Sequence, residues 1–192
     1  MSTTLRTRKA RAAHADAVEA KAYANFTALM KDCRIGHIKA ACKWYGEAHM
    51  FARSLMTIRP EWDMEVAASV VSAFSPRVTW AHNKVKALQY AQGITPKGLR
   101  SHVAAADRVC RMGFMGLGGL KTNAFARAIA GDEYAVVVDV WMCRAAGLSK
   151  DAPNVTEYRA IERAIREFAH AHSTPPATMQ ALLWILARGN EK

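Results

Sequence analysis

Two side chains with complementary chemistry stand eighteen positions apart, Lys121 and Asp139. Lys121 sits in the stretch GLGGLKTNAF (116–125), behind three glycines, Gly116, Gly118 and Gly119. Glycine has no Cβ, so its backbone can approach a ligand closely and can turn at positive φ. A helical pattern begins near Thr122, and the first N–H groups of a helix carry partial positive charge without internal partners. A glycine hairpin that opens onto a helix is therefore a phosphate cradle as well as an ordinary turn. Gly116, Gly118, Gly119 and Thr122 are its candidate phosphate contacts. Asp139 ends the apolar run YAVVV and begins the brief helical pattern VWMCRAAG. Its ordinary role is that of an N-cap, which also fixes the carboxylate in space. An amine and a carboxylate facing a common cleft suit attack at a sugar C1′. The amine is the nucleophile, and the carboxylate stabilises positive charge on the sugar as the base departs.

The elements that must position this pair read as helices almost throughout. From about Ala17, apolar residues recur at steps of three and four through YANFTALM and GHIKAACKWYGEAHMFARSLMTI. Gly36 is read as the break between these two helices, and Pro60 as the end of the second. DMEVAASVVSAF reads as a short buried helix capped by Asp63. TWAHNKVKALQYAQG closes at Gly93, and the helix in ITPKGLRSHVAAADRVCRMG ends near Gly113. TNAFARAIAG follows the glycines. VTEYRAIERAIREFAHAH carries a stripe at Val155, Tyr158, Ile161, Ile165, Phe168 and Ala169, and PPATMQALLWILARG makes a last helix. The chain is expected to be an all-α protein of about ten helices. A flexible basic arm is expected over 1–16 and a single domain over 17–192.

The 192 residues carry 27 Lys and Arg against 16 Asp and Glu, a formal charge of +11. Such an excess favours a polyanionic partner. Between Glu65 and Asp107 there is no acidic residue, while Arg77, Lys84, Lys86, Lys97 and Arg100 fall in that window. The segment reads as a surface that follows phosphates. Trp80, Trp141 and Trp184 fit core positions, and Trp80 is also a candidate contact to DNA.

The four cysteines, Cys33, Cys42, Cys110 and Cys143, are scattered, so no metal or iron–sulfur site is expected. Free thiols fit a reducing cytoplasm. No apolar run reaches the length of a membrane span, and the first residues lack a signal-peptide core.

The step from Lys121–Thr122 to Asp139-x-Trp141-x-x-Arg144 resembles the helix-hairpin-helix DNA glycosylases of the endonuclease III type. There a hairpin L-P-G-V-G-x-K-T-A leads to a catalytic lysine, and V-D-T-H-x-x-R carries the aspartate. LLWILARG resembles that family's last core helix. VVSAFSPRVTWAHN resembles its L-S-x-Q-x-x-x-x-x-x-N segment, with Arg77 nearest the glutamine that enters the base stack and Asn83 downstream. The likeness runs from about Val66 to Gly189. Leu117 stands where the family has glycine, Gly116 where it has proline, and Trp141 where it has histidine. Ser75, Pro76, Trp80, Asn83, Gly119, Lys121 and Phe125 are also similar to a pattern in small phage proteins.

The resemblance implies a two-lobed helical enzyme, phage-encoded and without the iron–sulfur cluster. It would act in the host cytoplasm as a monomer on DNA, with no cofactor and no membrane. Lys121 would attack a flipped nucleotide and Asp139 would stabilise the sugar. Arg77, Trp80, Asn83, Lys84 and Arg144 would join the glycine loop in holding DNA. A base-modifying transferase on the same fold and a non-catalytic DNA-binding protein are the alternatives.

Overall fold

The structure is a computed structural model that describes residues 3–150 and 152–189. The chain is all-α: among these residues all regular structure is helical and no strand occurs. The helices are α1 (Thr3–Leu29), α2 (Ile35–Met56), α3 (Met64–Ala73), α4 (Trp80–Ala91) and α5 (Arg100–Met112). They continue with α6 (Leu120–Ala130), α7 (Val140–Ala145), α8 (Val155–Ala171) and α9 (Pro176–Gly189). Short 3-10 turns occupy Met30–Asp32 and Gly113–Gly116.

The chain divides into two compact units. One contains both chain ends, Met1–Lys43 and Val136–Lys192, and the other contains the middle, Trp44–Ala135.

In the unit made from the chain ends, α1 packs along α8, and α9 packs against both α7 and α8. The buried face of α1 is Ala15, Val18, Ala22 and Phe26, at steps of three and four. Phe26 and Tyr23 meet Phe168 of α8 edge-on, with ring centroids 6.0 and 5.1 Å away. Burying each such large apolar side chain is worth roughly 1.5–3 kcal/mol. Of the segment expected as a flexible basic arm, the residues from Thr3 onward belong to α1, with 7–14 exposed and burial beginning at Ala15, and residues 1–2 lie outside the described residues. Alanine, lysine and arginine are strong helix formers, so basic charge does not oppose the helix. Gly36 is likewise not the break between the first helices. It lies in the first turn of α2, and the chain turns at the 3-10 segment before it and at extended Cys33.

The apolar run 135–138 is buried but pairs with no strand. Tyr158 of α8 satisfies it instead. Its hydroxyl accepts the Val138 N–H at 3.3 Å and donates to the Val136 carbonyl at 3.2 Å. The helix that carries Tyr158, α8, starts with a capping box. Asn154 accepts the Glu157 N–H at 3.0 Å while the Glu157 carboxylate accepts the Asn154 N–H at 2.8 Å.

In the middle unit α3 is the hub, packing against α4, α5 and α6. Every residue from Ala67 to Ala73 is buried, and alanine, serine and valine on all sides let neighbours approach from several directions. Asp63 caps α3, accepting the Val66 N–H at 2.8 Å, as the sequence predicts. The core is completed by Ala48, Ala52 and Leu55 of α2, Phe74, and Ala126 and Ile129 of α6.

Candidate functional site

Lys121 and Asp139 belong to different units, the lysine to the middle and the aspartate to the chain ends. Each is built by its own neighbours.

Around Lys121 the structure forms a braced hairpin between α5 and α6. Gly113 ends α5 at φ 54°, a left-handed conformation that glycine adopts without strain. The Phe114 N–H then donates to Glu65 of α3 at 2.8 Å, and Asn123 donates to the Phe114 carbonyl at 3.0 Å. Gly116 is buried against α5, where a Cβ would stand 2.7 Å from the Val109 nitrogen. Arg108 donates to its carbonyl at 3.3 Å. Gly116 is therefore a packing glycine, which corrects its expected place among the phosphate contacts. Gly118 and Gly119 are the exposed pair.

Gly119, in extended conformation, is the N-cap of α6, and no side chain occupies the cap. The helix starts at Leu120, earlier than the sequence pattern indicates. Lys121 and Thr122 are thus in its first turn, behind the uncapped N–H groups. Lys121 is half-buried. Thr122 turns its hydroxyl back to the Gly119 carbonyl at 3.1 Å, and its own carbonyl receives Ser72 of α3 at 2.7 Å.

The segment 77–84 sorts into display and packing. Arg77 is exposed and has φ 60°, an uncommon conformation for a residue with a Cβ, costing about 1–2 kcal/mol. Thr79 caps α4 through the His82 N–H at 3.4 Å. Lys84 rides over the Trp80 ring at 5.8 Å. Trp80 itself is half-buried among Trp44, Phe51 and Phe125, with centroids 5.8, 6.1 and 6.4 Å away. Asn83 is 2 % exposed, so the expected direct contact to DNA is closed to it. Among the described residues its Oδ1 has no hydrogen-bond partner.

Around Asp139 the arrangement is tighter. Oδ1 accepts the Met142 N–H at 3.0 Å, capping α7 as the sequence indicates. Oδ2 accepts the indole N–H of Trp184 on α9, also at 3.0 Å. Both oxygens are thereby fixed, one by its own helix and one across 45 residues. Trp184 in turn carries Arg188 over its ring at 4.5 Å. Arg188 also reaches Trp141 at 5.7 Å, and Arg144 covers Trp141 at 4.9 Å. The result is a ladder of alternating indoles and guanidiniums leading to the carboxylate.

Trp141 and Trp184 fit core positions in the sequence, yet both are only half-buried, and Arg188 joins them without any motif that marks it. Their spacings, Trp141 to Arg144 and Trp184 to Arg188, place each pair on one helix face and were a usable signal. The link between α7 and α9 was not.

Among the described residues no three His, Cys, Asp or Glu side chains gather as metal ligands, and no helix is long and apolar enough to cross a membrane.

The fold and these two constellations define an all-α protein with a glycine-hinged helix start in one unit and a capped aspartate in the other. Residues 8–191 match the model of a family of unknown function, DUF7178, and the chain belongs to that family. No curated protein and no solved structure matches it.

Proposed function

We propose that this protein is a DNA glycosylase-like enzyme that acts on a nucleotide flipped out of the helix. The observation that carries the reading is the fixation of Asp139 by two donors on different helices. A carboxylate held in this way pre-organises negative charge for a sugar that becomes cationic as its base leaves. Lys121 supplies the nucleophile. Its neutral amine attacks C1′, the bond from C1′ to the base nitrogen breaks, and the departing base takes up a proton. Opening of the sugar ring then gives an imine between Nζ and C1′. Gly118, Gly119 and the first turn of α6 receive a backbone phosphate. Arg77 and Lys84 add charge from the acid-free segment, and Arg144 adds it from α7.

The imine makes the reading testable. Borohydride reduces it to a stable amine, leaving protein covalently joined to DNA. Duplexes carrying a panel of modified bases should give a trapped adduct with the native protein. Lys121→Gln should give none, and Asp139→Asn should slow trapping by about 10²-fold or more. The absence of any adduct across the panel sinks the reading. Mass spectrometry of the nucleosides from the same reactions identifies the chemistry. A released base is the expected product, whereas an altered nucleoside would mean group transfer instead of excision.

A further inference from the structure

The leading end of α1 is a charged helix surface that the proposed excision chemistry does not use. Its register against α8 fixes where it lies. His14 meets Glu157 at 3.3 Å, Glu19 accepts from Arg163 at 2.8 Å, and Tyr23 packs on Phe168 with ring centroids 5.1 Å apart. Partner numbers rise together, so the two helices run side by side in the same direction. With the 143-residue offset of the His14–Glu157 contact, Val155 at the start of α8 stands level with Ala12. Helix α1 starts at Thr3 and so extends past the start of α8 by about 13 Å, at about 1.5 Å per residue.

Residues 7–14 are all exposed, and burial begins at Ala15. The packed face of α1, with Ala15, Val18 and Ala22, continues backward by the same steps of three and four to Arg11 and Arg8. Cations are costly to bury, so this part of the seam is not made for an apolar partner. Lys9 stands about 100° round the helix from Arg8 and on the side away from Arg11. Among the described residues none of these three cations has an ion pair. No acidic residue precedes Asp16.

Polyanionic partners differ in the surface they demand. A helix that lies on a lipid surface needs an apolar face, and 7–14 hold no large apolar side chain. The deep, narrow major groove of duplex RNA is closed to a helix. The major groove of DNA, about 12 Å wide, admits one. Ala10 and Ala13 form a slim strip between Arg11 and Lys9. The backbone can therefore approach base edges there while cations on both flanks reach phosphates. A helix this short is marginal alone. Here it continues the packed part of α1, so little order has to be gained on binding.

We propose that this extension of α1 is a DNA-binding element of its own, which enters the major groove of a duplex and sets Arg8, Lys9 and Arg11 on its phosphates. It stands apart from the excision reading, because nothing in it depends on Lys121 or Asp139.

The test follows backbone amides of the full chain by ¹H–¹⁵N spectroscopy. The signals of Ala10, Ala12 and Ala13 should move saturably with a short DNA duplex. An RNA duplex of the same sequence, polyglutamate, and vesicles of phosphatidylserine and phosphatidylcholine are titrated separately and should leave them in place. Replacing the three cations together, Arg8→Gln with Lys9→Gln and Arg11→Gln, should lower the slope of log K for duplex DNA against log salt concentration by about 2.7. Glutamine is a good helix former, so circular dichroism of the triple variant should match that of the native protein.

Lys121→Gln, which abolishes trapping, should keep the alanine shifts, so the two readings can fail separately. Alanine signals unmoved by DNA, or moved as far by RNA, polyglutamate or vesicles, overturn the proposal. So does an unchanged salt slope in the triple variant. The native titration decides the matter even where that variant loses helix.

Discussion

Asp139 carries two loads that substitution can separate. As an N-cap it satisfies an amide of α7, and as an acceptor for Trp184 it joins α7 to α9. Asparagine caps a helix nearly as well as aspartate and keeps an oxygen for one of these donors. Asp139→Asn should therefore fold with stability within about 0.5–1 kcal/mol of native. Asp139→Ala loses the cap and strands a half-buried indole N–H, costing about 1–3 kcal/mol. Urea unfolding of the two variants measures the difference, and equal losses would contradict this account of the carboxylate. A second carboxylate, Glu157, is 6 % exposed and shows the opposing pulls of burial and charge. Burial raises its pKa, but Lys150 at 2.7 Å, the Asn154 amide and His14 together outweigh that and hold it below its ordinary value. A lowered native pKa stabilises the fold above the unfolded value and loses that stabilisation as pH falls through the native one. Stability should accordingly decline from about pH 4.5 downward. That part of the decline should disappear in Glu157→Gln when both proteins are melted across an acid series.

At the scale of elements, the hairpin between α5 and α6 separates glycines that look alike in a sequence. Gly116 packs on the backbone of α5, which cannot yield as a flexible side chain would. Gly118 has open space where a Cβ would go and a φ that any residue adopts. Gly116→Ala should destabilise the protein by about 1–3 kcal/mol, and Gly118→Ala by less than about 0.5 kcal/mol. Thermal melts distinguish them. A similar loss at both positions would mean that conformational freedom, not close approach, is what the hairpin needs. The run 135–138 gives a related lesson about elements. Its β-branched residues favour extended backbone, but an extended segment becomes a strand only beside another. Here the Tyr158 hydroxyl supplies the partner in place of a neighbouring strand.

For the whole molecule, the formal charge of +11 sets an expectation about partners. If Arg77 and Lys84 meet phosphates, affinity for duplex DNA should fall steeply with salt. Each contact contributes about 0.9 to the slope of log K against log salt concentration. Lys84→Gln and Arg77→Gln should each lower that slope by about one. An unchanged slope in both would remove this segment from the interface.

Much of this molecule was legible in the order of its residues. The helical class, the caps at Asp63 and Asp139 and the glycine stops at Gly93 and Gly113 follow from contacts made within a few residues. Local sterics and hydrogen bonding decide these features, so types and spacing suffice. The tertiary structure alone decided that the first and last helices form one unit, that α1 begins to bury its apolar face at Ala15, and that Asn83 and Gly116 are buried. It also placed Trp184 on Asp139. Those outcomes depend on which surfaces meet across tens or hundreds of residues. Burial there is set by shape and volume at the point of contact, for which linear spacing carries no signal.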